Sequence, residues 1–376
     1  MYYENKREKQ RRNLFVFVSM VIIISLLVAL NLRLELIGKG EIQGDYNAQK
    51  LYTESINETE KQQVQETNYD FIEKSSKAIV GISKLKQNGT FIFSNTTGNV
   101  GIGSGVLITD TGYILTNHHV AGNKYSNCYV TLENGENYNG DVVWADENID
   151  LAIVKINVAK MNYIELGDSD TVKLGEDVYA IGNPIGFEFQ RTVTKGIISG
   201  LNRTIKIQNE KELSYMEDLL QTDCTINEGN SGGALITTEG RLIGINTIKI
   251  TDVEGMGFAV PINIVKPIIE KFINNGKFEE AYLGIYGYDK EVIPYLNSSV
   301  KLESGIYVDQ IQLDGPVYNS GILVGDIITK IDNVEINKMS ELRKYIYTKN
   351  PGDTVKLTVH RSFKDFEVEV KLNYKL

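Results

Sequence analysis

From about residue 70 to residue 275 the chain strings together short apolar, β-branched runs separated by Gly, Asn and Asp: SGVLIT, GYILTN, CYVTL, DVVWA, LAIVKI, DVYAIG, GIISGL, GALIT, RLIGINTI and GFAVP. Runs of this length, with no long helical pattern between them, predict an all-β barrel or sandwich. The segment INIVKPIIEKFINNG closes the region as a helix, with Gly276 at its C-cap. The last hundred residues form a different module. Strand-like GIYVDQI, DIITKID and TVKLTVHR surround helical stretches near PVYNSGI and MSELRKYIYT, a small α+β pattern. One internal echo accompanies the strands. GVLITDTGYILTN aligns with GALITTEGRLIGI at an offset of 128, pairing Gly105 with Gly233, Leu107 with Leu235, Ile108 with Ile236, Thr109 with Thr237 and Gly112 with Gly240. It suggests two similar β units, each centred on a hairpin.

The N-terminus follows another pattern. Residues 1–13 carry five basic and two acidic side chains, and residues 14–32 are uncharged and almost wholly apolar, LFVFVSMVIIISLLVALNL. At ~1.5 Å per residue, about twenty residues span one hydrocarbon thickness. A cleaved signal peptide has a shorter apolar region and an A-x-A-like site, and no such site follows Leu30. An uncleaved transmembrane anchor is the expectation, with the basic tip in the cytoplasm and all later residues outside it. Residues 33–68 are polar and rich in Glu, Gln and Asn, which predicts a linker.

Composition narrows the chemistry. The 376 residues include 49 acidic and 39 basic side chains, a net charge of −10, which disfavours nucleic acid as a partner. Two Cys provide neither a disulfide scaffold nor a four-Cys zinc site, and three His leave little for a metal centre. No phosphate-binding GxxxxGK[ST] loop appears, so ATP use is not expected. No cofactor is expected either.

Three segments of the β region carry reactive groups: TNHHV at 116–120, DENIDLAIVKI with Asp150 before a strand, and NEGNSGGAL at 227–235 with Ser231. A serine hydroxyl is a poor nucleophile near neutral pH and needs a base; histidine, with an ordinary pKa of about 6.5, suits that task. The base needs a carboxylate to hold its tautomer, and the oxyanion needs fixed N–H donors. Glycines around Ser231 permit a tight turn that aims backbone amides at one point. Spacing leaves two choices open: His118 or His119 as base, and Asp146 or Asp150 as its carboxylate.

TNHHV, DLAIVKI and GNSGGAL resemble the three signatures of the HtrA (DegP/DegS-like) family of trypsin-fold serine proteases. GNPIGFEFQRTVTKGIISGLNR, QTDCTINEGNSGGAL and GMGFAVP are similar to the family's flanking stretches, so the resemblance covers about residues 70–376. It implies a mainly β chain: a chymotrypsin-type double β-barrel over 69–275, then a small α+β PDZ domain over 276–376, preceded by a cytoplasmic tip (1–13), a transmembrane helix (14–32) and the linker (33–68). It also implies His119 as base, Asp150 as orienting acid and Ser231 as nucleophile. Oxyanion donors would be the amides of Gly229 and Ser231, with Asn230 between them. Thr225 stands where relatives specific for basic residues carry Asp, and Ile226 would line a small apolar pocket suited to Val or Ala. Asn246, Thr247 and Ile248 would pair with substrate backbone. Activation would order loops around 185–191 and 223–229.

YLGI, the residues Tyr282, Leu283, Gly284 and Ile285, is similar to a PDZ carboxylate-binding loop, and residues 339–347 fit the helix flanking a bound C-terminus. The resemblance further implies an ATP-independent endopeptidase of the cell envelope acting on unfolded or exposed protein segments, and a homotrimer or larger assembly to which Tyr69 and Phe71 would contribute. Alternative roles are a sensor protease making one regulated cut, or a chaperone or scaffold that binds C-termini. Cys128 and Cys224 are expected to be unpaired and buried, and His360 structural.

Overall fold

The computed structural model describes residues 2–40, 70–84, 102–183, 191–208, 213–227, 229–249, 255–296 and 300–375. They fall into two compact units, divided after Asn68. In the first, helix α1 (Tyr2–Gly40) runs without a break through the basic tip, the apolar span and the first residues of the expected linker. Its stretch Arg11–Arg33 is long and apolar enough to cross a bilayer.

The second unit opens with a short helix, α2 (Asp70–Ser76), and then builds two closed six-stranded barrels. The first barrel contains β1 (Ile79–Lys84), β2 (Ile102–Leu107), β3 (Tyr113–Thr116), β4 (Asn127–Thr131), β5 (Asn137–Asp146) and β6 (Leu151–Lys155), paired in the order β1-β2-β3-β6-β5-β4. The turn of helix α3 (His118–Ala121) follows β3. The second barrel contains β7 (Asp177–Gly182), β8 (Thr192–Gln208), β9 (Leu213–Thr222), β10 (Ala234–Thr237), β11 (Leu242–Lys249) and β12 (Gly257–Pro261), and closes with β7-β8-β9-β12-β11-β10. Taken in chain order the two pairings are identical, so one topology is used twice.

That identity corrects the meaning of the sequence echo. The echoed hairpins are β2–β3 and β10–β11, which occupy the second and third positions of one barrel but the fourth and fifth of the other. They look alike because both are buried apolar strands joined by a turn with a left-handed glycine, Gly112 (φ +90°) in one and Gly240 (φ +73°) in the other. The strands bury Ile79, Ile114, Leu115, Ile153 and Trp144 in the apolar core.

The closing helical segment divides in two: a 3-10 turn at Ile262–Ile264, then α4 (Lys266–Asn275). Pro267 fits the first turn of α4, where its missing N–H costs nothing. Gly276 ends the helix in the left-handed conformation, its N–H donating to Phe272 O at 2.9 Å.

The C-terminal module has its own apolar core, including Ile306, Val308, Ile328, Leu342 and Leu357. Strands β13 (Ala281–Tyr282), β14 (Ile285–Tyr288), β15 (Ile306–Ile311), β16 (Ile327–Ile331), β17 (Val334–Glu335), β18 (Thr354–Arg361), β19 (Lys364–Lys371) and β20 (Asn373–Tyr374) join helices α5 (Ile293–Leu296) and α6 (Met339–Thr348). The main sheet runs β14-β15-β16-β18-β19, leaving β14 at an edge. Helix α6 packs against the barrels, where the Tyr347 hydroxyl donates to Asp146 Oδ2 at 2.7 Å and its ring meets Trp144 edge-on.

Candidate active site

The two barrels meet where the three motifs come together. Asn117 links β3 to α3, and its side-chain amide donates to the backbone carbonyl of Asp150 at 2.9 Å. This bond ties the histidine turn to the acidic turn before β6. Asp150 itself sits at φ +52°, a left-handed conformation that Asp tolerates better than most residues. Its carboxylate then receives three donors. Oδ1 accepts the His119 backbone N–H at 3.0 Å; Oδ2 accepts the His119 ring at Nδ1 at 2.7 Å and the Thr247 hydroxyl at 2.7 Å. A carboxylate facing Nδ1 fixes the proton there and leaves Nε2 as the basic nitrogen.

The alternatives separate cleanly. His118 turns outward to Asn123 Oδ1 at 2.5 Å. Asp146, four residues before Asp150, is buried at the end of β5 against Tyr347 and stands away from the histidine turn. His119 and Asp150 are therefore the pair the fold brings together.

Ser231 stands in the turn before β10. Its hydroxyl donates to Thr247 O at 3.0 Å. A hydroxyl has one proton, so in this conformation it is not donated to the His119 ring. Of the backbone amides from Gly229 to Gly233, those of Asn230, Gly232 and Gly233 are spent on Asn227 O, Asn246 O and Asn230 O at 3.0, 2.8 and 2.8 Å. The amides of Gly229 and Ser231 have no partner among the described residues. Two free amides flanking one peptide are what an oxyanion hole requires. Gly229 (φ +94°) and Gly232 (φ +82°) both adopt conformations other residues resist. At Gly232 a Cβ would lie 2.0 Å from Ser104 O, so no side chain fits there.

Beside this turn lies a pocket of about 390 Å³, walled by residues 224–227 and 255–257 and containing no charged side chain. Thr225 is exposed at its rim, and Ile226 is buried. A Cβ on Gly257 would approach Ile226 Cγ1 to 2.5 Å, so the glycine leaves room for the isoleucine. Cys224 is buried in the same wall, and burial pushes its thiol up. Cys128 lies in the first barrel, its thiol pushed up to about 12 by burial; both cysteines are unpaired.

Of the three residues expected to pair with substrate, Asn246 is already engaged. Its backbone N–H donates to Gly233 O and its carbonyl accepts from Gly232 N, which ties it into the nucleophile turn. Thr247 offers its carbonyl beyond that point, and the Ile248 side chain lies outside the described residues. So do residues 185–190 and Glu228 of the two loops expected to order on activation, and Tyr69. Phe71 packs edge-on against Tyr179 of its own chain. Sequence reasoning assigned no role to the Thr247 hydroxyl or to Asn117; the Asn of TNHHV was the available signal for the latter.

In the C-terminal module, Leu283 is buried, Gly284 is left-handed at φ +85°, and their carbonyls accept from Val317 N and Gln312 N at 3.3 and 2.9 Å. Tyr282 is hydrogen-bonded through its hydroxyl to Gln312. The loop leads directly into the edge strand β14. His360 pairs with Asp365 across the β18–β19 hairpin at 2.6 Å.

Residues 103–245 match the trypsin-like peptidase domain family and residues 294–372 the PDZ domain family. The chain is 36% identical over 327 residues to the serine protease Do-like HtrA of Bacillus subtilis, covering 81% of this chain and 72% of that one. It is 35% identical over 278 residues to the periplasmic pH-dependent serine endoprotease DegQ of Escherichia coli, covering 73% and 59%. Among solved structures, the HtrA-type protease AlgW with a tripeptide superimposes with a TM-score of 0.60 at 31% identity, covering 82% of this chain and 97% of that one. The serine endoprotease from Yersinia pestis gives 0.56 at 32% identity, covering 82% and 98%.

Proposed function

Because this chain belongs to the HtrA family and is a serine endopeptidase with a PDZ domain, we propose that Ser231, His119 and Asp150 form its catalytic triad. The observation that carries this is the Asp150 carboxylate, which receives the His119 ring, the His119 backbone and the Thr247 hydroxyl together. In this reading the Ser231 hydroxyl leaves Thr247 O and turns to His119 Nε2. An incoming substrate strand assists by bringing a backbone N–H that takes over the Thr247 carbonyl. His119 accepts the proton as Ser231 Oγ attacks the scissile carbonyl, and Asp150 stabilises the imidazolium. The amides of Gly229 and Ser231 hold the oxyanion. His119 then protonates the leaving amine, and water, activated by the same imidazole, hydrolyses the acyl-enzyme. The uncharged pocket beside Ile226 selects a small apolar side chain before the cut.

The substrates in this reading are unfolded or exposed segments of envelope proteins. The PDZ module captures a chain-terminal carboxylate at Tyr282–Ile285, and the peptide adds as a strand to β14. Helix α1 crosses the membrane with its basic tip in the cytoplasm, so protease and PDZ domains work outside it. The family's trimer is the assembly expected. The test is cleavage of unfolded casein by the detergent-solubilised full chain. Wild type should cut it, and Ser231→Ala should not; equal cleavage by both would sink the assignment.

A further inference from the structure

Strand β2 of the first barrel reaches the nucleophile turn of the second through one side chain that no motif singled out. Ser104 is wholly buried, and every polar group it owns is engaged. Its N–H donates to Ser231 O at 2.8 Å, and its carbonyl accepts the Thr116 hydroxyl at 2.6 Å. Its own hydroxyl accepts the Asn183 N–H at 2.7 Å and donates to Gly229 O at 2.5 Å. The direction of these two bonds is fixed, since an amide only donates and a carbonyl only accepts.

The peptide held in this way, Gly229–Asn230, lies between the two unpartnered amides of Gly229 and Ser231. The turn that contains it is closed by Asn230 N–H on Asn227 O, with Gly229 at φ +94°. With Gly229 O pinned to Ser104 Oγ and Ser231 O pinned to Ser104 N, this peptide cannot rotate without breaking a buried hydrogen bond. Without the bond to Gly229 O this peptide keeps only the Asn230 N–H on Asn227 O, so the turn that carries both amides is held less firmly. The other side of the hydroxyl extends the anchorage. Asn183 Oδ1 accepts Arg191 N–H at 2.7 Å, and the Arg191 guanidinium pairs with Glu133 of the first barrel at 2.9 Å.

We propose that the Ser104 hydroxyl is the positioning group of the oxyanion turn: it sets the aim of the Gly229 and Ser231 amides and couples that aim to Asn183 and Arg191. The inference rests on the catalytic reading above. Ser104 touches neither substrate nor the reacting atoms, so its effect falls on transition-state stabilisation and not on substrate affinity.

The test compares full-length wild type, Ser104→Ala, Ser104→Cys and Ser231→Ala on a peptide substrate and on a peptidyl boronate, which mimics the tetrahedral oxyanion. Ile164→Val, a buried change in the first core, supplies a variant of matched modest Tm loss. Ser104→Ala should lower kcat about 10- to 100-fold with KM within about threefold, since misplacing a reacting group costs on this order. Its boronate affinity should fall by the same factor as kcat/KM. The weak thiol donor of Ser104→Cys should give an intermediate loss, and Ile164→Val should keep the wild-type kcat. Wild-type kcat in Ser104→Ala would overturn the proposal, as would a loss confined to KM; if Ser104→Ala does not fold, the same outcomes in Ser104→Cys decide. Should Ser231→Ala still cleave, the catalytic reading itself fails. With Ser231→Ala dead and Ser104→Ala fully active, only the positioning role is lost.

Discussion

The 69–376 unit contains two junctions built from opposite chemistry. Where barrel meets barrel, the bonds are short and mostly neutral: Ser104 to Gly229 and Ser231, and Asn183 to Ser104. The Asp150 carboxylate there receives three donors from both barrels, and Glu133 pairs with Arg191 at 2.9 Å. Where the barrels meet the PDZ module, charges dominate. Asp146 accepts Tyr347 and faces Lys375 at 3.8 Å; Lys375 pairs with Glu280 at 2.8 Å; Asp218 pairs with Lys338 at 2.9 Å and bonds Ser340; Lys344 pairs with Asp170 at 2.8 Å. Burial pushes Asp146 up, but Arg343, Lys375 and the Tyr347 hydroxyl outweigh it and hold the carboxyl below its ordinary value.

The second junction is also incompletely compensated. Glu217 on β9 and Asp289 beyond β14 face each other, and Glu217 Oε1 and Asp289 Oδ2 have no hydrogen-bond partner among the described residues. Burial, and for Glu217 the neighbouring Asp289, push these carboxyls up to about 8 and about 6. One junction thus specifies a geometry; the other holds charges whose balance shifts with pH. A pocket of about 500 Å³ remains open within it, between residues such as Asp170 and Asn202 on the barrel side and Lys344 on α6.

The contrast can be broken at each side. Asp150→Asn should leave folding nearly intact and lower kcat by about 10⁴-fold, because an amide no longer enforces the Nδ1 tautomer; steady-state kinetics checks this, and a loss below tenfold would mean the carboxylate does not orient the base. Arg343→Met should leave kcat on a short peptide within threefold of wild type. It should cost about 2–3 kcal/mol in denaturant unfolding, since it removes a compensating charge from buried Asp146; an unchanged unfolding midpoint would show that Arg343 does not support the junction. Glu217→Gln should give the smallest effect, and only at high pH. A carboxyl raised from 4.5 to about 8 binds more protons folded than unfolded across that range, so the native chain loses stability as pH rises through it. The variant should therefore raise Tm by a few degrees at pH 8.5 and by nothing at pH 5; an equal gain at both would assign it to packing.

The neutral junction was far more legible in the sequence than the charged one. Serine chemistry demands fixed residue types next to strands, so TNHHV, Asp150 and GNSGG announced themselves within a few residues each. Choosing Asp150 over Asp146 on the residues alone was not possible, because both sit at strand ends and only the folded contacts with His119 show which one reaches the histidine turn. The echo at offset 128 shows the reverse failure: local likeness between hairpins carried no information about their places in the barrels. Ser104 escaped notice because its partners lie 79 and 125 residues away. The charged junction draws on positions 146, 217, 280, 289, 343 and 375, each an ordinary surface-type residue until the fold buries it.

The division of the proposed triad between barrels has a consequence for the life of the chain before it is complete. His119 and Asp150 belong to the first barrel, and Ser231 with its amides to the second, joined through Ser104 and Thr247. A nascent chain that has folded only its first barrel holds a base with nothing to activate. A chain whose second barrel has melted loses its nucleophile turn and its oxyanion donors at once. With the triad so divided, proteolytic competence is expected only of the finished assembly.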